Sequence, residues 1–263
     1  MAGETSPRPT MRVVTFNVLT AGDADGPVRR KALRLPELNA DVIALQEAEA
    51  GLLGPEFTVV DLPGSGECLA TRWELAAVST LDEPIGALRA TAVAAEVRSP
   101  LGSVLVVHHR GTFQLDLEAV RERQVVATAR FVEELTGPSV PVVLLGDFNA
   151  APDAASMRFL TGRQSLAGMS VGYEDAWAAT HPDDPGHTFT PRNPLVRAGQ
   201  MPLERGRRID YVLVRSGPHG PLLDVADCRL VGTEPVDGVW ASDHFGVLAD
   251  LVPPGHPPGE WGR

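Results

Sequence analysis

Cysteine is nearly absent from this sequence. Cys68 and Cys228 are the two present, far apart and without paired metal-ligand spacing. That excludes a zinc site or a disulfide framework and leaves two reduced, partly buried thiols. Aromatic residues are also few, at 5% against 43% hydrophobic overall, so the core must be built from aliphatic side chains. Basic charge is in deficit: 23 Lys and Arg against 34 Asp and Glu give a net charge of −11. A generally acidic surface repels polyanions, which excludes duplex binding through a broad basic face but not a local basic pocket around a phosphate. Long apolar runs are missing too. The strongest, Val140 to Leu145, is short and contains Pro141, so no membrane span is expected. The opening MAGETSPRPT has no basic segment followed by an apolar stretch, so no secretory signal is expected and the expected location is cytoplasmic.

What is present suits a globular α/β or α+β protein of 263 residues. Residues 1–10 are polar and proline-rich and are expected to form a loose arm, and 253–263 a Pro/Gly-rich tail. Residues 11–252 then form one domain. Strands are expected at RVVTFNV, DVIALQE, FTVVDL, ECLATR, TAVAAEVR, SVLVV, PVVLLG, RIDYVLV, ADCRLV and FGVLADL. The charged segment Arg29 to Leu38 reads as helical. The clearest helix is Leu117 to Leu135, where Leu117, Val120, Val125, Thr128, Val132 and Leu135 share a face. A short helix is expected at Ala154 to Leu160, and residues 178–206 read as a long loop.

The informative feature is where polar residues stand. VVTFN ends at Asn17 and DVIALQE at Glu47. VVLLGDFN ends at Asp147 and Asn149, and FGVLADL is entered through Ser242, Asp243 and His244. Strands that deliver carboxylates to one rim supply what Mg²⁺ needs: oxygen ligands from one or two carboxylates, completed by water and substrate phosphate. Each cluster alone has a plainer reading as a turn, a helix cap or a solvated strand end. Asp210, in RRIDYVL, reads by itself as a strand-edge charge paired with Arg207 or Arg208.

Taken together and in order, TFNV, ALQE, VVHHR, LLGDFN, RIDYVL and SDHFGV resemble the endonuclease/exonuclease/phosphatase family from Met11 to about Val252. That family includes deoxyribonuclease I-like nucleases, apurinic endonucleases, deadenylases, inositol polyphosphate 5-phosphatases and neutral sphingomyelinases. The resemblance implies a four-layer sandwich, two face-to-face mixed β-sheets flanked by helices, with the site at one rim. It implies a phosphoester hydrolase dependent on Mg²⁺ or Mn²⁺. Glu47 would be the principal metal ligand, with Asp243 and Asn17 near the same ion. Asp147 would orient or deprotonate the attacking water, and Asn149 would hold water or phosphate. His244 would contact the phosphoryl oxygens, held by Asp210. One ion or two stays open.

The family places a histidine at the end of the SVLVV strand as a phosphate donor. Adjacent strand residues face opposite ways, so only one of His108 and His109 can serve, and the register of the family's usual Thr-His pair favours His109. The next residue is commonly Leu in the family and is Arg110 here, which leaves room for a basic substrate contact. Arg207 and Arg208 are further candidate substrate contacts. His187, Arg192 and Asn193 lie in the long loop, which could roof the site. Arg72 reads as structural. The expected substrate is a small or single-stranded phosphoester, and the expected oligomeric state a monomer. The competing reading is a catalytically silent binding or scaffold protein on the same fold. The intact Glu47, Asp147, Asn149, Asp243 and His244 argue against it.

Overall fold

The β-branched run after Met11 forms a strand that becomes central to a six-stranded sheet. The computed structural model describes residues 8–19, 26–48, 51–62 and 65–255. Residues 1–7 of the expected arm and 256–263 of the expected tail lie outside these. In chain order the elements are β1 (Met11–Asn17), α1 (Gly26–Ala32), β2 (Val42–Gln46), β3 (Thr58–Leu62), β4 (Glu67–Thr71), β5 (Glu74–Ile85), β6 (Leu88–Ser99) and β7 (Gly102–Arg110). Then come α2 (Glu118–Leu135), β8 (Val142–Asp147), α3 (Ala155–Leu160), β9 (Tyr173–Asp175), α4 (Ala176–Thr180) and α5 (Pro194–Ala198). The last four are β10 (Asp210–Gly217), β11 (Gly220–Pro221), β12 (Asp224–Val231) and β13 (Gly246–Val252).

One sheet runs in the order β12-β13-β1-β2-β4-β3, the other β11-β10-β8-β7-β6-β5 with β9 beside β10. Both are mixed. β1 and β2 are parallel, as are β7 and β8, while the remaining pairs are antiparallel. The sheets pack face to face over Val13, Val42, Leu69, Val106, Val143, Val212 and Ala249. Helix α2 covers the outer face of the second sheet, where Val125, Val126, Ala129 and Val132 are buried against Leu105, Val107 and Leu144. Each such Val or Leu side chain contributes about 1.5 kcal/mol or more. The fold is the expected four-layer sandwich.

Two expectations fail for local reasons. The charged segment does not form one helix. Arg34 adopts a left-handed φ of 45°, and a 3-10 turn, Leu35–Leu38, starts afresh around Pro36, whose ring removes a donor and clashes with the preceding turn. Strand β5 was not anticipated. It lies at a sheet edge, paired with β6 alone and mostly exposed, so its sequence lacks the apolar alternation of a covered strand.

Candidate active site

Strand alternation decides which side chains reach the rim between the sheets. Along β1, Met11 and Val13 point into the inter-sheet core, while Val14 and Phe16 point to the outer cluster. The inward series continues to Asn17. On β8 the inward Val143 and Leu145 lead to Asp147, and on β10 the inward Val212 and Val214 lead back to Asp210. The antiparallel register sets Asp210 directly opposite Asp147.

Glu47 breaks this rule. On β2 the inward residues are Val42 and Ala44, so the strand's parity would send Glu47 outward. It instead takes a left-handed φ of 52° immediately after the strand. Its Oε1 then accepts from Asn17 Nδ2 at 3.3 Å and from the Arg110 guanidinium at 2.5 Å. Asn149 has the same φ of 52°. Such backbone costs about 1–3 kcal/mol per residue, and non-glycine residues held this way gather at functional sites. Just before Asp147 stands Gly146, at φ 149°, where a Cβ would lie 1.8 Å from the His109 carbonyl oxygen. Only glycine lets β7 and β8 come this close.

Asn17 ties the two sheets together, because its Nδ2 also donates to Asp147 Oδ2 at 3.2 Å. Asp147 Oδ1 accepts from the Asn149 backbone N–H at 3.0 Å. Asn149 Nδ2 donates to the Gly111 carbonyl at 3.0 Å. His244 Nδ1 lies 3.0 Å from Asp210 Oδ2. Ser242 fixes the loop that carries this histidine. Its hydroxyl donates to the Asn17 carbonyl at 2.7 Å and accepts from the His244 N–H at 3.2 Å.

The charges are set by burial and by one another. Burial, reinforced by Asp210, raises the Asp147 carboxyl to about 6, against the opposing pull of His244, Arg110 and Asn17. Burial alone would lower His244. The charge and hydrogen bond of Asp210, with Asp147 and Asp243, outweigh it and raise the imidazole to about 10. An ionisable carboxyl thus sits beside a histidine held as the cation.

Several candidates are elsewhere. His109 does not enter the site. It is the outward residue of its pair, buried under α2 with Nδ1 2.9 Å from the Thr128 hydroxyl and its ring against Phe148. His108 faces inward but sits below the rim, with Nε2 2.8 Å from Gln46 Nε2. Both faces of β7 are covered here, so neither ring lines the pocket. Burial pushes His108 down to about 3 and His109 to about 4. Arg208 is also turned away. It is buried, ion-paired with Asp175, and packs over the Tyr211 ring. Arg207 does line the pocket, paired with Glu204 at 2.8 Å. Arg72 packs over Phe57, 4.9 Å from its ring centre.

A cleft of about 540 Å³ opens over this rim. Asn17, Glu47, Arg110, Asp147, Asn149, Asp243 and His244 form its polar floor. Its apolar lining comes from Phe113, Phe189, Leu195, Met201 and Ile209. Sequence reasoning missed Phe189, whose ring lies 4.9 Å from that of His244. Its neighbour Thr188 accepts from the backbone N–H groups of Ile209 and Asp210 at 3.0 and 3.2 Å. The long loop thus does wall the site, through Phe189 and α5. Asn193 acts from behind, with Nδ2 donating to the Ser242 carbonyl at 2.7 Å.

Comparison with protein-family models matches residues 14–244 to the endonuclease/exonuclease/phosphatase family. The chain belongs to this family. No curated protein matches it in sequence. Among solved structures it is similar to D. rerio TDP2 complexed with single strand DNA product, with a TM-score of 0.76 at 17% identity over 92% of this chain and 98% of that one. It is also similar to an endonuclease/exonuclease/phosphatase of Bacteroides vulgatus, with a TM-score of 0.70 at 20% identity over 93% and 99%. A third, from Beutenbergia cavernae, has a TM-score of 0.63 at 24% identity over 96% and 74%. At these identities the likeness is one of fold.

Endonuclease/exonuclease/phosphatase chemistry is phosphoester hydrolysis, and the family generally depends on a divalent metal. Two places could receive a cation. Ligand-type atoms of Asp147, Asp210 and His244 lie within 4.8 Å of one another. There the imidazole is already bound to Asp210 and held protonated, so a cation would have to displace a proton and break that pair. The outer rim, with Glu47 and Asp243, offers hard carboxylate donors of the kind that Mg²⁺ or Mn²⁺ prefers, while the Asn17 amide presents Nδ2 to Glu47 and its Oδ1 accepts from the Leu19 N–H at 3.3 Å. Arg110 already places a positive charge against Glu47 there. No described helix is long and apolar enough to cross a membrane.

Proposed function

We propose that this protein is a divalent-metal-dependent phosphodiesterase or phosphatase that cleaves a small or single-stranded phosphoester. The observation that carries the reading is Asp147 beside the Asp210-bound His244 on the floor of the cleft. Environments that push neighbouring ionisable groups apart mark the base and the acid of a reaction. Asp147, raised toward neutrality, orients the attacking water and takes its proton. Asn149 holds that water beside it. The His244 imidazolium donates to the phosphoryl oxygens as their charge grows, with Asp210 fixing its orientation. Glu47 and Asp243, with Asn17 beside them, would hold Mg²⁺ or Mn²⁺, which would supply charge neutralisation at the phosphate.

The substrate class rests on charge and shape. A net charge of −11 opposes long duplex. The apolar wall around Phe189 and Phe113 can take a base or another flat group beside the phosphate. D. rerio TDP2, of the same fold, holds a single strand DNA product. Hydrolysis should be assayed with Mg²⁺ or Mn²⁺ on single- and double-stranded DNA, RNA, nucleotides, inositol phosphates and phosphocholine esters. The best substrate should be small or single-stranded, with a shallow loss of kcat/KM as salt rises. Efficient duplex cleavage with a steep salt slope would overturn the substrate class. Full activity after exhaustive chelation would overturn the metal.

A further inference from the structure

Arg110 is bound to one carboxylate, Glu47, and a second carboxylate on the same inter-sheet side has an oxygen left unmet. Arg110 ends β7 on the inward face, continuing the series Val104, Val106 and His108. Its guanidinium meets Glu47 Oε1 at 2.5 Å. The other carboxylate is Glu67, the first residue of β4, inward by the same alternation that places Leu69 in the inter-sheet core. Glu67 is 4% exposed, and its Oε2 has no hydrogen-bond partner. A buried carboxylate oxygen left in this state costs about 1–3 kcal/mol or more, so an unmet one requires an explanation. Burial raises the Glu67 carboxyl to about 7; the charge of Arg110 works against that rise and Asp147 adds to it.

We propose that Arg110 is the site's internal counter-cation: it holds Glu47 until a divalent metal takes that carboxylate, then turns onto Glu67 and offers its free N–H groups to the substrate phosphate. The proposal rests on Glu47 being a metal ligand. Three features of the structure combine in it. Arg110 offsets the charge of Glu47 before a cation binds. Glu67 is a buried acceptor with one oxygen unmet, so the displaced guanidinium has a second seat. Arg110 lines the cleft next to Asp147 and Asn149, within the space a phosphate must enter. A planar guanidinium with five donors can bind a carboxylate with one edge and a phosphate with the other, which a lysine cannot. Metal loading and phosphate binding are then coupled, because the cation that fills the rim also frees the arginine.

The test is calorimetric titration of the full chain with Mn²⁺ alone, without substrate, in the wild type, Arg110→Met, Glu67→Gln and the double variant. Arg110→Met removes the competitor, so Mn²⁺ should bind more tightly, by on the order of five-fold, the worth of a partly exposed ion pair. Glu67→Gln removes the second seat and should weaken Mn²⁺ binding by a similar factor. In the Arg110→Met background Glu67→Gln should change nothing, since its effect runs through the arginine. Equal weakening in both backgrounds would mean that Glu67 acts only as a charge and would overturn the proposal. So would unchanged or weaker Mn²⁺ binding by Arg110→Met, a limb that stands even if Glu67→Gln does not fold. With Mn²⁺ saturating, inorganic phosphate should bind less tightly to Arg110→Met than to the wild type, and equal binding would overturn the second half. Absence of Mn²⁺ binding in every protein would instead remove the metal reading on which this rests.

Discussion

Asp147 and Asp210 face each other in register across the β8–β10 ladder, both directed into the gap between the sheets. Two carboxylates so placed would repel, and the fold answers with His244, bound to Asp210 at 3.0 Å and held as the cation. The three groups are one electrostatic unit in which Asp210 keeps the proton on His244 and leaves Asp147 free to accept one.

If so, Asp210→Asn should lower kcat by about 10²-fold or more, the range for a group that sets a catalytic proton. In a protein already carrying His244→Ala, the same change should cost little. A double-mutant cycle on kcat measures this coupling. Additive losses would make Asp210 an independent structural residue.

The pH profile follows from the signs of the two shifts. Asp147 works as the base, so kcat/KM should rise as pH climbs through about 6 and the carboxyl ionises. His244 works as the cation, so activity should fall as pH passes through about 10. Asp210→Asn removes the largest favourable charge on the imidazolium, so the alkaline limb should move to lower pH. A profile whose alkaline limb ignores that substitution would separate the limb from His244.

Glu47→Gln and Asp147→Asn should fail differently. Loss of a metal ligand should shift the Mn²⁺ activation curve to higher concentration. Loss of the water-orienting carboxylate should lower kcat at saturating metal by about 10²-fold or more. Identical metal titrations for the wild type and Glu47→Gln would refute the assignment of Glu47.

Arg208 should behave as a core residue. Arg208→Met leaves the Asp175 carboxylate buried without its counter-charge, which costs about 3 kcal/mol or more. The midpoint of urea unfolding should fall, while KM on the best substrate stays the same. A raised KM with unchanged stability would restore Arg208 to substrate binding.

Much of this site was legible in the sequence, and the reason is periodicity. Period-2 apolar runs set which faces of β1, β8 and β10 are buried. A polar residue ending an inward series arrives at the inter-sheet rim, as Asn17 and Asp147 do, whereas Asp210 reads by itself as a strand-edge charge and is placed behind His244 only by the family resemblance. The order of these runs with SDH and ALQE was enough to point to the family and its four-layer fold. The histidine pair shows where that logic stops. Alternation says that His108 and His109 face opposite ways, but not that β7 is covered on both faces, by the first sheet inside and by α2 outside. The same holds for Glu47, which strand parity alone would send outward. Its left-handed turn, the pull of Arg208 toward Asp175, and the arrival of Phe189 beside His244 are long-range outcomes. They depend on which surfaces remain to be filled once the two sheets have packed, and local sequence carries no record of that.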